Sequence, residues 1–426
     1  MKIINWVLGF LENQEKKVVA QNFLSLFFLQ GANYILPLLV LPYLVRVLGA
    51  EKFGLVMFAQ SLAVFLNVLV DFGFNISGTR EISLARDSKE KTGEIFLAIM
   101  LIKLGLIVIA FGILFLLVNT FSRFSVDSEV YLLSFGVVIG QALFPVWFFQ
   151  GIEKMKVVTL VNIFAKIIFT VLVFFFINTE SDYFKVPVYN SLGFIVSGLI
   201  GFVLSFKYFK YKFPKISLVK HLFIESSSLF VSNLATSLYT ASNVFILGLF
   251  SGNVVAGVYS SMEKLILAVK NVYAPLYQAL YPWVARQEDS QKKEIINKIM
   301  PPVFIVSSII TLVILFFAKT ILTIVYDDVL ITNYANVFRV LSFISIFSGL
   351  NMLYNVLYFP SMKRYKVRMN ILIFGGLFNM IMNLIFVQFF DIYGIALIVT
   401  TTELLLVLIG YYYFKKLSGE TETIKL

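Results

Sequence analysis

Long runs of apolar residues, each about as long as a helix that crosses a bilayer, fill most of this chain. About twenty mostly apolar residues are needed to cross the hydrocarbon core. Hydrophobic residues make up 59% of the 426, and charged residues only 14%, whereas soluble domains carry about a quarter charged residues. No segment shows the period-two alternation of an outer-membrane strand. The chain is therefore predicted to be an all-α integral membrane protein.

The apolar runs and the charge clusters between them predict twelve transmembrane helices. Their approximate bounds are 18–48, 54–79, 95–118, 130–149, 157–177, 187–209, 222–250, 257–284, 301–326, 333–360, 367–390 and 393–414. The first residues are expected to lie on the membrane surface. The predicted domains are an interfacial segment at 1–17, an N-lobe of six helices at 18–210, a basic linker at 211–221, a C-lobe of six helices at 222–414 and a tail at 415–426.

The two predicted lobes carry traces of one sequence repeat. Gly49–Gly54 closes one apolar run and opens the next, and Gly252–Gly257 does the same 203 residues later. Farther on, Lys156-Val157 recurs as Lys366-Val367, at an offset of 210. Because each lobe holds six spans, both lobes have the same orientation. The repeat therefore predicts a pseudo-two-fold axis along the membrane normal, as in transporters built from parallel repeats.

The distribution of Lys and Arg predicts the orientation of the chain. Both termini and the loops after the even-numbered spans hold 25 of the 35 basic residues. The opposite loops hold four, namely Arg46, Lys52, Arg123 and Lys185. Since basic residues are enriched in cytoplasmic loops, both termini are predicted to be cytoplasmic. The net charge of +11 is then an orientation signal spread over short loops, and no nucleic-acid partner is expected.

Polar side chains recur at matching places of the two predicted lobes. The pairs are Gln30 with Asn233, Asn33 with Thr236, and Gln141 with Asn351, at offsets of 203, 203 and 210 residues. Such residues can simply join neighbouring helices by hydrogen bonds. Matching positions in both lobes favour a second interpretation, in which these residues line a shared aqueous cavity.

Ionisable side chains inside the predicted spans form a second group of candidates, because a charge at the bilayer centre costs roughly 2.5–3.5 kcal/mol on insertion scales. Four cations are predicted to line the cavity: Lys103, Lys166, Lys270 and Arg339. They would attract a phosphate, a pyrophosphate or an acidic sugar. Two acids, Glu263 and Glu403, are candidates for coupling to an ion, since an isolated carboxylate in a span takes up a proton or binds a cation.

Several classes of enzyme and cofactor site are excluded by what the sequence lacks. The chain has no cysteine and one histidine, His221, so thiolate and histidine-rich metal sites cannot form. It has no G-x-x-x-x-G-K-[ST] phosphate-binding loop, no G-x-S-x-G and no H-E-x-x-H motif. We therefore expect a protein that is not an enzyme, with no cofactor, no catalytic residue and no metal ligand.

Several segments resemble the O-antigen and polysaccharide flippases of the Wzx type. The segment 144–155, FPVWFFQGIEKM, is similar to the end of the fourth span of that family. The segments 43–49 (YLVRVLG), 52–54 (KFG), 71–74 (DFGF) and 78–81 (GTRE) resemble its first two spans. These latter motifs are shared more widely in the multidrug/oligosaccharidyl-lipid/polysaccharide (MOP) flippase superfamily, and the resemblance extends over the whole chain.

The resemblance implies a MATE-like fold and a function in polysaccharide assembly. The expected substrate is an undecaprenyl-diphosphate-linked oligosaccharide repeat unit, moved from the inner to the outer leaflet of a bacterial plasma membrane by alternating access. Membrane lipids and other polysaccharide-assembly proteins are the expected partners. A cation-coupled multidrug exporter of the same superfamily and a membrane polymerase or ligase of the same pathway are the alternatives.

Overall fold

The computed structural model describes residues 13–423, except for the side chains of 13–35, 37, 38, 418–423 and nine positions between 232 and 282. Every regular element in that part of the chain is a helix. The predicted all-α class is therefore confirmed. Residues 1–12, which belong to the predicted interfacial segment, lie outside the described residues.

The described residues form eighteen α-helices, one 3-10 helix and one π-helix, joined by short turns and loops. In chain order the α-helices are α1 (Asn13–Asp71), α2 (Phe74–Ala85), α3 (Lys89–Thr120), α4 (Ser122–Ser125), α5 (Ser128–Leu143), α6 (Val146–Gly151), α7 (Met155–Phe176), α8 (Lys185–Ser205), α9 (Ile216–Thr240), α10 (Ser242–Phe250), α11 (Gly252–Asn271), α12 (Tyr273–Ala285), α13 (Asp289–Tyr326), α14 (Val329–Asn333), α15 (Ala335–Ser342), α16 (Ile344–Met352), α17 (Phe359–Ser361) and α18 (Tyr365–Thr423). The 3-10 helix is Glu180–Phe184 and the π-helix is Leu353–Tyr358. The two longest helices are kinked, α1 at Gly49 and α18 at Asp391.

Eight helical segments among the described residues are long and apolar enough to cross a membrane. They are Leu39–Ala85, Lys89–Thr120, Ser128–Gly151, Met155–Phe176, Glu180–Ser205, Asp289–Tyr326, Ala335–Ser361 and Tyr365–Leu417. The first and last, of 47 and 53 residues, each contain a kink and each overlap two of the predicted spans. The chain is therefore an integral membrane protein with several spans, while the count of twelve in two lobes stays a prediction.

Contacts between Cα atoms divide the chain into two compact units. The first unit is Leu39–Gly257, and the second unit joins Val258–Leu426 to the residues up to Leu38. Helices α9 and α10 thus belong to the first unit, although the sequence repeat assigns them to the second half. The predicted lobes at 18–210 and 222–414 follow the repeat rather than these contacts, and they stay a prediction.

Both copies of the glycine repeat lie at helix breaks, as the sequence predicts. Gly49 has φ 69° and Gly252 has φ 87°, values that glycine adopts without a steric penalty. The copies also touch each other inside the first unit. A Cβ on Gly54 would lie 1.8 Å from the Asn253 carbonyl oxygen, and one on Gly257 would lie 2.1 Å from that of Ala50. Small residues let two membrane helices approach at backbone distance.

Helix α9 packs against the first part of the chain near the end of α1. The Phe72 ring stacks on Phe223 and Phe230, with centroids 4.6 and 4.9 Å apart. The buried hydroxyls of Ser77 and Ser226 lie 2.7 Å apart. A salt bridge of 2.6 Å joins Arg80 to Glu225 at the exposed edge.

Arg123, in the short α4, fixes the junction between α10 and α11. Its Nε and Nη2 donate to the Gly248 carbonyl oxygen at 2.8 and 2.6 Å, and Nη2 also donates to Asn253 Oδ1 at 2.6 Å. The guanidinium lies 4.7 Å from the centroid of the Phe58 ring. The last carbonyls of a helix have no partner within that helix and attract cations. Arg123 supplies both hydrogen bonds and charge at this point.

Candidate functional site

A polar cavity of about 270 Å³ lies inside the first unit. Its polar lining comprises Asn67, Asp71, Asn75, Lys103, Gln141, Asn162 and Ser197. Lys103 Nζ is 3.6 Å from Asp71 Oδ1, so the lysine predicted to bind substrate has a carboxylate beside it. A charge inside a bundle of apolar helices is costly unless it is paired. The ion pair therefore explains how Lys103 can be almost fully buried.

Two helix breaks bring these side chains to the cavity. Helix α1 ends at Asp71, because Phe72 and Gly73 have φ values of 48° and 85°. Helix α5 ends at Leu143, two residues before Pro145, whose preceding residue is disfavoured in helical conformation. Gln141 lies in the last turn of α5 and faces the cavity.

Ser197 gives this cavity an unused hydrogen-bonding group. It lies on α8, lines the cavity and is 2% exposed. Its hydroxyl has no hydrogen-bond partner among the described residues. Buried polar groups are nearly always paired, so this hydroxyl is available to a molecule inside the cavity.

A second polar cluster lies inside the second unit and is centred on Glu403. Lys270 Nζ donates to Glu403 Oε1 at 2.5 Å, and Asn351 Nδ2 donates to Oε2 at 3.1 Å. Asn355 Nδ2 then donates to Asn351 Oδ1 at 2.6 Å. The Oδ1 of Asn355 is buried and has no hydrogen-bond partner among the described residues. The cluster is thus a chain of polar groups that ends on an acceptor open to a further donor.

Irregular backbone places Asn351 and Asn355 in this cluster. Asn351 lies near the end of α16, and Asn355 lies in the π-helix Leu353–Tyr358. Pro360 follows two residues after that helix; it has no N–H to donate to the carbonyl four residues back. Single π-turns inside α-helices occur frequently at functional sites.

A further group of hydrogen-bonded amides lies along α18. Asn379 Nδ2 donates to Thr402 Oγ1 at 3.3 Å, and Asn383 Nδ2 donates to Asn379 Oδ1 at 3.0 Å. All three residues are fully buried. Thr402 directly precedes Glu403 in the sequence, and the two side chains leave α18 in different directions.

The two units carry related sites. Each contains a lysine–carboxylate pair with one buried and one half-buried member, Lys103 with Asp71 and Lys270 with Glu403. The repeat-related amides Gln141 and Asn351 lie at these sites. The helix containing each amide is irregular just beyond it. The sequence predicts that Glu403 is isolated; the structure instead pairs it with a lysine predicted to bind substrate.

The other predicted site residues are placed differently. Arg339 Nε donates to the Leu315 carbonyl oxygen at 3.0 Å, and Nη1 donates to Asn336 Oδ1 at 2.5 Å. Half-buried positions hold Lys166 on α7, Asn233 on α9 and Glu263 on α11. Gln30 and Asn33 lie on α1 and Thr236 lies on α9, but their side chains lie outside the described residues. A site role for these residues stays a prediction.

Sequence reasoning missed several residues of the two clusters. Asp71 carries a signal, since Asn67 and Asp71 are four residues apart and share one helical face. Asn162 and Ser197 carry none, because one polar residue in an apolar helix is common. Asn355 also carries a signal. It lies four positions after Asn351, so helical spacing does place Asn355 next to Asn351; what the sequence does not indicate is the π-turn in which Asn355 lies.

Comparisons with known proteins agree with this fold. Residues 19–288 match the family described as "Polysaccharide biosynthesis protein". The chain is 30% identical over 403 residues to the "Putative O-antigen transporter" of Escherichia coli (strain K12), covering 92% of this chain and 95% of that one. It is 33% identical over 276 residues to the protein of the same name from Shigella dysenteriae, covering 63% of this chain and 68% of that one.

Two solved structures share the fold at low sequence identity. An inward-facing multidrug resistance MATE family transporter of the MOP superfamily has a TM-score of 0.71 at 13% identity, covering 91% of this chain and 96% of that one. The lipid II flippase MurJ, in an inward closed conformation, has a TM-score of 0.67 at 15% identity, covering 91% and 87%. These structures show the MATE-like fold that the resemblance implies, the putative O-antigen transporters confirm the resemblance to Wzx-type proteins, and the chain belongs to the polysaccharide biosynthesis protein family.

Proposed function

We propose that this protein is a flippase for undecaprenyl-diphosphate-linked oligosaccharide repeat units. It moves them from the cytoplasmic to the outer leaflet of the bacterial inner membrane. The observation that carries the proposal is the pair of lysine–carboxylate clusters buried among apolar helices. Relatives of this chain are named putative O-antigen transporters. Clusters of this kind would bind the polar, charged headgroup of a lipid-linked oligosaccharide.

The chemistry of the substrate matches these clusters. The polar headgroup makes unaided crossing of the bilayer slow, because a diphosphate and its sugars must leave water. Lysine side chains offset the charge of the diphosphate, and amides and hydroxyls bond to sugar hydroxyl groups. The polyprenyl tail stays in the lipid. Lys166 and Arg339 are proposed to extend the cationic lining.

The proposed architecture is twelve spans in two lobes, with both termini cytoplasmic. Rocking of the lobes gives the substrate access from each side of the membrane in turn, as in transporters built from repeats. No covalent chemistry is involved, so the protein is not an enzyme and uses no cofactor. Glu263 and Glu403 are the candidates for coupling transport to an ion gradient.

The decisive experiment locates the lipid-linked repeat unit by leaflet. In cells that lack the gene, the unit is expected to accumulate on the cytoplasmic leaflet and surface polysaccharide is expected to disappear. A membrane-impermeant sugar oxidant applied to spheroplasts and to inverted vesicles distinguishes the two leaflets. Repeat units that reach the outer leaflet without the gene would contradict the proposal.

The same cells separate the two alternatives. A multidrug exporter predicts drug resistance on expression and normal surface polysaccharide on deletion. A polymerase or ligase predicts repeat units that cross the membrane normally and polymers of altered length.

A further inference from the structure

The two lysine–carboxylate pairs differ in which member is the more exposed one. In the second unit the Lys270 side chain is 23% exposed and the Glu403 side chain only 2%. In the first unit the Lys103 side chain is 4% exposed and that of Asp71 is 15%. The more exposed member of the pair is therefore the lysine in the second unit and the carboxylate residue in the first.

We propose that Glu403 is a resident counter-anion, which the diphosphate of the substrate displaces from Lys270. This inference rests on the proposed function, because it takes the lipid diphosphate as the arriving anion. It assigns Glu403 a role in setting the affinity and release of substrate.

Geometry makes Lys270 the movable partner and Glu403 the fixed one. The second carboxylate oxygen of Glu403 accepts a hydrogen bond from Asn351, and Asn351 is held in turn by Asn355. All three of these residues are buried. Lys270 instead lies in the last turn of α11, on a long flexible side chain whose end can turn toward a new anion.

Charge favours the exchange when substrate is present. A diphosphate carries more negative charge than a carboxylate and offers more acceptor oxygens, so it competes well for one ammonium group. Without substrate, the Glu403 carboxylate offsets the charge of Lys270 inside the membrane. After the sugar has crossed, return of Lys270 to Glu403 favours release of the diphosphate.

The test measures binding of undecaprenyl diphosphate to the purified full-length protein in nanodiscs. Glu403→Gln keeps an acceptor for Asn351 but removes the competing charge, so we expect the Kd to fall roughly tenfold. Lys270→Gln is expected to raise the Kd by a similar factor, and Lys270→Arg to retain most of the binding. In cells, Glu403→Gln is expected to lower surface polysaccharide, because tighter binding slows release.

Three controls make the outcome decisive. Glu294→Gln removes the same charge from an exposed pair with Lys298 and should leave the Kd unchanged. The double variant Lys270→Gln with Glu403→Gln removes both charges of the pair and is expected to be less destabilised than a single variant, and it should bind more weakly than the parent protein. Undecaprenol, which lacks the diphosphate, should bind equally to all variants.

The failures of the two proposals are distinguishable. If the parent protein binds the diphosphate lipid but folded Glu403→Gln binds it no more tightly, Glu403 is a structural partner and only this inference falls. The inference also falls, again by itself, if the double variant binds as tightly as the parent protein. If the parent protein binds no diphosphate lipid at all, the proposed substrate class falls together with the inference.

Discussion

At the scale of single residues, Lys103 and Lys270 are each paired with a carboxylate from another helix. Lys103 and Asp71 belong to α3 and α1, and Lys270 and Glu403 belong to α11 and α18. Removing one member of a buried pair is more harmful than removing both, because the remaining charge has no compensation. The loss of stability therefore depends on how deeply the remaining member is buried.

Asp71→Asn is expected to destabilise the protein more than Lys103→Met. The first change leaves an ammonium group whose side chain is 4% exposed, which costs about 3–5 kcal/mol. The second leaves a carboxylate with some access to the cavity, and the double variant should recover most of the loss. The measurement is the melting temperature of the purified protein in detergent. Equal losses for the two single variants would contradict the prediction, and Lys298→Met at an exposed pair is the control.

At the scale of helices, the contact between the glycine repeats limits what the sequence can change. Backbone atoms of α1 and α11 occupy the space that a side chain on Gly54 or Gly257 would need. Gly105 and Gly112 on α3 have nothing within 4 Å of an added Cβ. The four glycines therefore form two matched classes within one unit.

Gly54→Ala and Gly257→Ala are expected to lower stability by about 1–3 kcal/mol or more, because the two helices must move apart. Gly105→Ala and Gly112→Ala are expected to be neutral or slightly stabilising, since alanine is the better helix former. The amount of folded protein recovered from membranes and its melting temperature measure both classes. Similar behaviour of all four variants would show that the helix contact is not tight.

Features that depend on neighbouring residues could be predicted from the sequence, and features that depend on distant ones could not. The breaks at Gly49 and Gly252 follow from local composition, and so do the apolar spans. The pairing of Lys270 with Glu403 joins residues 133 positions apart, for which helical periodicity carries no information. The cost of a buried charge singles out each of the two residues, but it does not indicate that they are partners.

At the scale of the whole molecule, the absence of cysteine makes the predicted orientation directly testable. Because the chain has no cysteine, a single introduced one gives a labelling signal without background. Ser125→Cys, in an exposed segment predicted to face outward, should react with a membrane-impermeant maleimide in intact cells. Ser217→Cys, at an exposed position within the predicted linker, should react only after permeabilisation. The reverse pattern would invert the proposed topology and the direction of transport.

The packing of α9 and Arg123 has a consequence for how the protein is made. The first unit extends to Gly257, so about three fifths of the 426 residues must be synthesised before it is complete. Until then Ser77, Arg80 and Arg123 lack the partners that they have on α9, α10 and α11. Insertion of the early helices into the membrane therefore has to precede their final packing, and a chain truncated after the sixth predicted span would leave these surfaces open to chaperones and proteases.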